Sequence, residues 1–175
     1  MGAALSGFRP FLVLAVVVAA LAAASGAGAG SSVTPLDRAV LAQLNTFRAA
    51  HGLHTLRLSR PLDAAAAQHS HEMVARGYFA HNSADGTSFS TRIARYYRPA
   101  GARYYSTGEN LLWASPSISP AAALRMWIAS PPHRRNLLDP HWRQIGVSAV
   151  HVTSAPGVYG NRPVTVMTTD FGVRR

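Results

Sequence analysis

The chain reads as an α+β domain, and two observations carry that reading. Apolar residues recur at helical spacing through the first part of the chain, and two strand-like stretches, Ile145 to Val152 and Val164 to Thr169, close it. Helices precede strands instead of alternating with them, which points away from a parallel sheet built of βαβ units.

The first helix is predicted to start at Thr34-Pro35-Leu36-Asp37, which supplies a capping hydroxyl, a proline at the first helical position and an acid in the first turn. Leu36, Val40, Leu44 and Phe47 then form one apolar face, and Gly52 ends the helix. Leu56-Arg57-Leu58-Ser59 leads into a second helix, with Ser59 as cap, Pro61 near its start and Gly77 at its end. Its four consecutive alanines, Ala64 to Ala67, permit close approach of a neighbour. A turn at Asp85-Gly86-Thr87 precedes a short helix through Phe89, Ile93 and Tyr96, closed by Gly101. Gly108-Glu109-Asn110-Leu111-Leu112-Trp113 reads as a turn entering an extended segment. Ser119-Pro120 caps another helix, carrying Ala123, Leu124 and Trp127, which Ser130-Pro131-Pro132 stops. The final two strands flank a loop around Pro156-Gly157 and Gly160-Asn161 that suits an antiparallel connection.

Upstream of the domain, Arg9 precedes an apolar run from Phe11 to Ala24 and the small-residue site Ala27-Gly28-Ala29. This pattern predicts a secretory signal peptide over residues 1–29, a linker over 30–33 and a secreted, extracellular domain over 34–175. Left uncleaved, the same stretch would be a membrane anchor. The absence of cysteine excludes disulfides, thiolate metal sites and cysteine nucleophiles. The formal charge is +10, and every Lys-or-Arg cation is an arginine. An arginine-rich surface attracts anionic partners such as phospholipid head groups or wall polymers. The arginines are scattered, with only Arg134-Arg135 and Arg174-Arg175 adjacent, so no nucleic-acid footprint is expected. Nothing in the residues fixes an oligomeric state.

Of eight histidines, His51, His54, His69, His71, His141 and His151 read as surface or hydrogen-bonded side chains. His69 and His71 are two apart on a helix and point to different sides, so they do not form a two-ligand site there. His81 stands in more distinctive surroundings, after Tyr78-Phe79-Ala80. So does His133, inside Ser130-Pro131-Pro132-His133-Arg134-Arg135-Asn136-Leu137-Leu138, and Gly108-Glu109-Asn110 lies between them. Asn110 is expected to satisfy local backbone groups. Trp113 and Trp127 read as core, and the Ser-Pro-Pro run as a device that ends a helix and aims His133. Arg134 and Arg135 suit either an anion or plain solvation.

Taken in order, these segments resemble the CAP superfamily of cysteine-rich secretory, antigen 5 and pathogenesis-related proteins, in its bacterial, cysteine-free branch. The likeness runs from about Leu36 to Gly172 and includes Leu44-Asn45-Thr46-Phe47-Arg48, Ile145-Gly146-Val147 and Asp170-Phe171-Gly172. It implies an α-β-α sandwich with a small antiparallel sheet between helical layers, and makes residues 34–175 a CAP, or SCP-like, domain. It also implies a cleft of His81, Glu109, His133 and Ser130. There His81, His133 and Glu109 would hold zinc or another divalent cation; Ser130 falls where eukaryotic members carry a second acid. A hydrogen-bonded network needing no metal is the competing arrangement. The resemblance further implies a binder of lipid, sterol-like or cell-envelope molecules. Two other classes stay open: a metal-dependent hydrolase or peptidase with Glu109 as base, and a cationic protein held at an anionic envelope by charge alone.

Overall fold

The computed structural model describes residues 33–175; the expected signal peptide, its cleavage site and all but the last residue of the linker lie outside the described residues. Helix α1 (Pro35–Ala50) begins as the sequence dictates. Thr34 and Asp37 form a reciprocal capping box, with Asp37 N–H donating to Thr34 Oγ1 at 3.1 Å and Thr34 N–H to Asp37 Oδ2 at 2.8 Å. A two-residue strand β1 (Arg57–Leu58) precedes α2 (Arg60–Arg76), which starts after Ser59 without a side-chain cap bond and ends at Gly77 in the left-handed conformation. Helix α3 (Phe89–Tyr96), strand β2 (Tyr105–Ala114) and helix α4 (Pro120–Ala129) follow. After α4 the chain does not leave helical structure, as the Ser-Pro-Pro run led us to expect. Ser130 ends α4 and at once caps α5 (Pro131–Leu137), because proline at a first helical position has no N–H to leave unpaired. Strands β3 (Gln144–Ala155) and β4 (Arg162–Arg174) close the domain, both longer than their apolar cores alone predicted.

The sheet order is β1-β3-β4-β2. β3 and β4 form an antiparallel hairpin, β2 runs antiparallel along the other side of β4, and the short β1 adds parallel to β3. Gly108 is a mid-strand residue of β2, not a turn. A Cβ there would meet Asn136 Oδ1 at 2.7 Å, so glycine is what lets α5 lie against the strand. Gly146 on β3 plays the same part for α2, whose backbone at Leu62 and Asp63 occupies the space of a side chain.

Helical layers cover both faces. α1, α4 and α5 bury Val40, Leu44, Trp127 and Leu137 against Leu112, Ile145, Val147, Met167 and Phe171. On the opposite face α2 and α3 place Met73, Leu62 and Ile93 against the sheet side that carries Leu111, Val164 and Val166. The result is the expected α-β-α sandwich. Alternation along β2 therefore sends Glu109 and Leu111 toward the α2/α3 layer, and Asn110 and Leu112 toward the α1/α4/α5 layer.

Candidate functional site

β2 is a terminal strand of the sheet, and the site is built across it, one histidine from each helical layer. Glu109 contributes a fully buried side chain. Its Oε1 lies 2.7 Å from Nδ1 of His81, in the loop between α2 and α3. An ionised carboxylate only accepts, so Nδ1 is the donor in this bond, on a side chain half exposed. The second oxygen, Oε2, accepts from Arg92 Nη2. Arg92 is 1 % exposed and also donates from Nη1 to the His81 carbonyl at 2.9 Å. Beneath the same loop lies His69, with Nε2 2.9 Å from the Ala80 carbonyl. Two buried groups thus hold the loop by consecutive carbonyls.

Asp170 pairs with Glu109 in the β2–β4 register. Burial, and then the charge of Glu109, push the Asp170 carboxyl well up from its ordinary range, with Arg92 opposing. Of these two buried acids, Glu109 is the one left to pair with the guanidinium.

His133 enters from the other layer, on α5. Its carbonyl accepts from Asn110 Nδ2 at 3.1 Å, and Asn136 Nδ2 donates to the Glu109 carbonyl at 3.1 Å and to Asn110 Oδ1 at 3.0 Å. Asn110 therefore satisfies backbone, but backbone of a distant helix instead of its own turn. Burial, then neighbouring His81, lowers the His133 pKa and favours the neutral ring.

His81, Glu109, Asn110, His133, Arg135 and Asn136 line a cleft of about 310 Å³. Ser130 is not among its lining residues. It lines an adjoining apolar groove of about 250 Å³ with Phe79, Leu112, Trp113 and Met126, and His133 borders both spaces. The sequence thus placed three of four site residues in one cleft and the fourth beside it. It missed Arg92 and Asp170. Arg92 lies three residues after Phe89 and four before Tyr96, on the face of α3 that carries Ile93, and a cation on an apolar face is the signal that could have found it.

For a divalent ion the donor set is thin. Both Glu109 oxygens are already committed, and among the described residues no group of three or more His, Cys, Asp or Glu side chains is arranged to hold a metal. Two imidazoles remain, where a catalytic zinc takes three protein ligands and a structural zinc four. The residues present do not fit a resident zinc centre.

Burial lowers the pKa of His69, with Glu109 opposing and Arg92 reinforcing. Its folded value then lies below the unfolded value of about 6.5, and the folded state binds fewer protons. The stability it contributes is present above that unfolded value and lost as pH falls toward the folded one. In urea titrations at a series of pH values, the stability gap between the protein and His69→Gln is expected to narrow on acidification below about 6.5. A gap independent of pH would overturn this.

The cysteine-rich secretory protein family, CAP, matches residues 41–167. The uncharacterized protein YkwD of Bacillus subtilis is 31% identical over 123 residues, covering 70% of this chain and 45% of that protein. The uncharacterized membrane protein YlbC of the same organism is 29% identical over 114 residues, or 65% and 31% of the two lengths. The chain thus spans less than half the length of these curated relatives. Among solved structures, an extracellular SCP-domain protein of Bacillus anthracis superposes with a TM-score of 0.60 at 27% identity, covering 79% of this chain and 40% of that one. An outer surface protein of Borrelia burgdorferi superposes with a TM-score of 0.61 at 19% identity, over 79% and 92%, a likeness of fold alone.

Proposed function

The chain belongs to the cysteine-rich secretory protein (CAP) family, and from that premise we propose that it is an exported, non-enzymatic binding domain for a lipid, sterol-like or envelope molecule. One observation carries this: the polar cleft of His81, Glu109 and His133 adjoins, at His133, the apolar groove of Phe79, Trp113 and Met126. Phe79 and Met126 are large apolar side chains left 37% and 45% exposed. A ligand with a polar end and an apolar body would use both spaces, the groove supplying burial and the imidazoles orientation. A divalent ion in the cleft would be held by two imidazoles and exchange readily. Among the described residues no helix is long and apolar enough to cross a membrane. Attachment to an anionic envelope through the arginine-rich surface would accompany binding, not replace it.

Extraction of the purified full chain into organic solvent, with mass spectrometry and elemental analysis, tests the reading. A co-purifying lipid is expected, diminished in Phe79→Asp and His133→Ala, with zinc well below one equivalent. Protein that neither carries nor takes up any lipid would overturn it.

A metal-dependent hydrolase is the second reading. It is favoured by the Glu109–His81 hydrogen bond, which orients an imidazole as such sites do. Glu109 itself has both oxygens engaged and is poorly placed to act as base. Peptide or ester turnover that disappears in His133→Ala would favour this reading over ours.

A further inference from the structure

A cavity larger than the histidine cleft lies elsewhere among the described residues. It measures about 730 Å³ and lies on the other side of α5, within the range of about 300–1,000 Å³ common to small-molecule sites. Ile128, Ala129, Pro131, Leu138 and Pro140 give it an apolar lining, and Arg134, Arg135 and His141 add basic side chains. We propose that this cavity is a second binding site, for an amphiphile with a single alkyl chain and a phosphate monoester head group. The chain lies on the apolar residues and the phosphate faces the two guanidiniums.

Charge complementarity selects the occupant. Asp139 is the acid in the lining, and its Oδ1 is taken by the backbone N–H and Nδ1 of His141, both at 2.8 Å. Arg134 and Arg135 are exposed, and among the described residues neither side chain has a hydrogen bond or an ion pair. Two free guanidiniums in one lining suit a dianionic phosphate better than a single carboxylate, because each can offer paired N–H donors to its oxygens. A cationic or uncharged head group would leave them unused.

The wall is also held in place before any ligand arrives. Arg48, wholly buried on α1, donates from Nη1 to the Leu137 carbonyl at 2.7 Å and the Asp139 carbonyl at 3.1 Å. This pins the turn that follows α5, so that binding need not order it. The site shares Arg135 and Asp139 with the histidine cleft, but its apolar floor is separate. It stands whether or not the cleft takes a ligand.

Calorimetric titration of the full chain with monododecyl phosphate, below its micelle concentration, tests the site. A saturable event at this cavity is expected, beside any that the histidine cleft contributes. Ala129→Trp would fill the cavity from an exposed helix end, and Arg134→Glu would reverse a charge of the head-group site; each is expected to weaken binding about tenfold or more. Laurate should bind more weakly, and dodecyltrimethylammonium and inorganic phosphate alone hardly at all. His133→Ala, in the other cleft, should leave affinity unchanged. Equal binding of the cationic amphiphile would reduce the cavity to an apolar patch, and equal binding of inorganic phosphate to an anion site without a chain. Indifference to Ala129→Trp together with loss in His133→Ala would move the ligand to the cleft. Any of these three results overturns the proposal.

Discussion

Arg92→Met is expected to destabilise the domain by about 3–5 kcal/mol, the usual penalty for stripping one partner from a buried ion pair. Methionine keeps the length of the apolar stem, so the loss is of charge and hydrogen bonds more than of volume. Glu109 would keep a fully buried carboxylate with only His81 to face it, beside a second buried acid, Asp170. The His81 carbonyl would lose its donor as well. Urea unfolding of the single variants and of Arg92→Met/Glu109→Gln would measure the coupling. The double variant should be markedly less destabilised than the two singles added together, because it leaves no unpaired charge. Strict additivity would mean that the pair is not what holds β2 to α3.

Arg48→Met is expected to have the second largest effect, about 3 kcal/mol or more, since each buried acceptor left without a donor costs about 1–3 kcal/mol. Arg48 serves the carbonyls of His54, Leu137 and Asp139 from a position with no solvent exposure. Burial lowers its pKa, with Asp139 opposing, as expected of a cation paired mainly with carbonyl dipoles. Amide exchange should quicken at residues 53–56 and 137–141 before it does elsewhere, and monododecyl phosphate should bind less tightly. Uniform exchange throughout the domain would show that the turn does not depend on this side chain.

Both arginines were hard to recognise from the sequence, and the reason is physical. Every arginine contributes equally to a net charge, so a chain this basic reads as one with a cationic surface, and a buried guanidinium is indistinguishable from a solvated one. Arg48 follows Leu44 by four residues and Arg92 follows Phe89 by three, so both sit on helix faces whose apolar members were plain. The caps were legible because they are local: Thr34 with Asp37, Ser119 before Pro120, Gly77 after α2. His81, Glu109 and His133 were reached by resemblance, since 28 residues separate the first pair and periodicity says nothing over such a span. Asp170 was quoted in the terminal segment without a role. Its partner lies across a strand pairing that only the folded sheet provides. Helix α5 was hidden by its two prolines, which stop one helix and open the next equally well.

The two cleft histidines are carried by different layers of the sandwich, with the terminal strand β2 between them. Their separation is therefore a caliper reading of how closely the α2/α3 layer and the α4/α5 layer approach at that edge. A ligand gripping both rings would clamp the jaws and register as resistance of the whole sandwich to opening. One that touched only His81 or only His133 would leave the edge free to breathe.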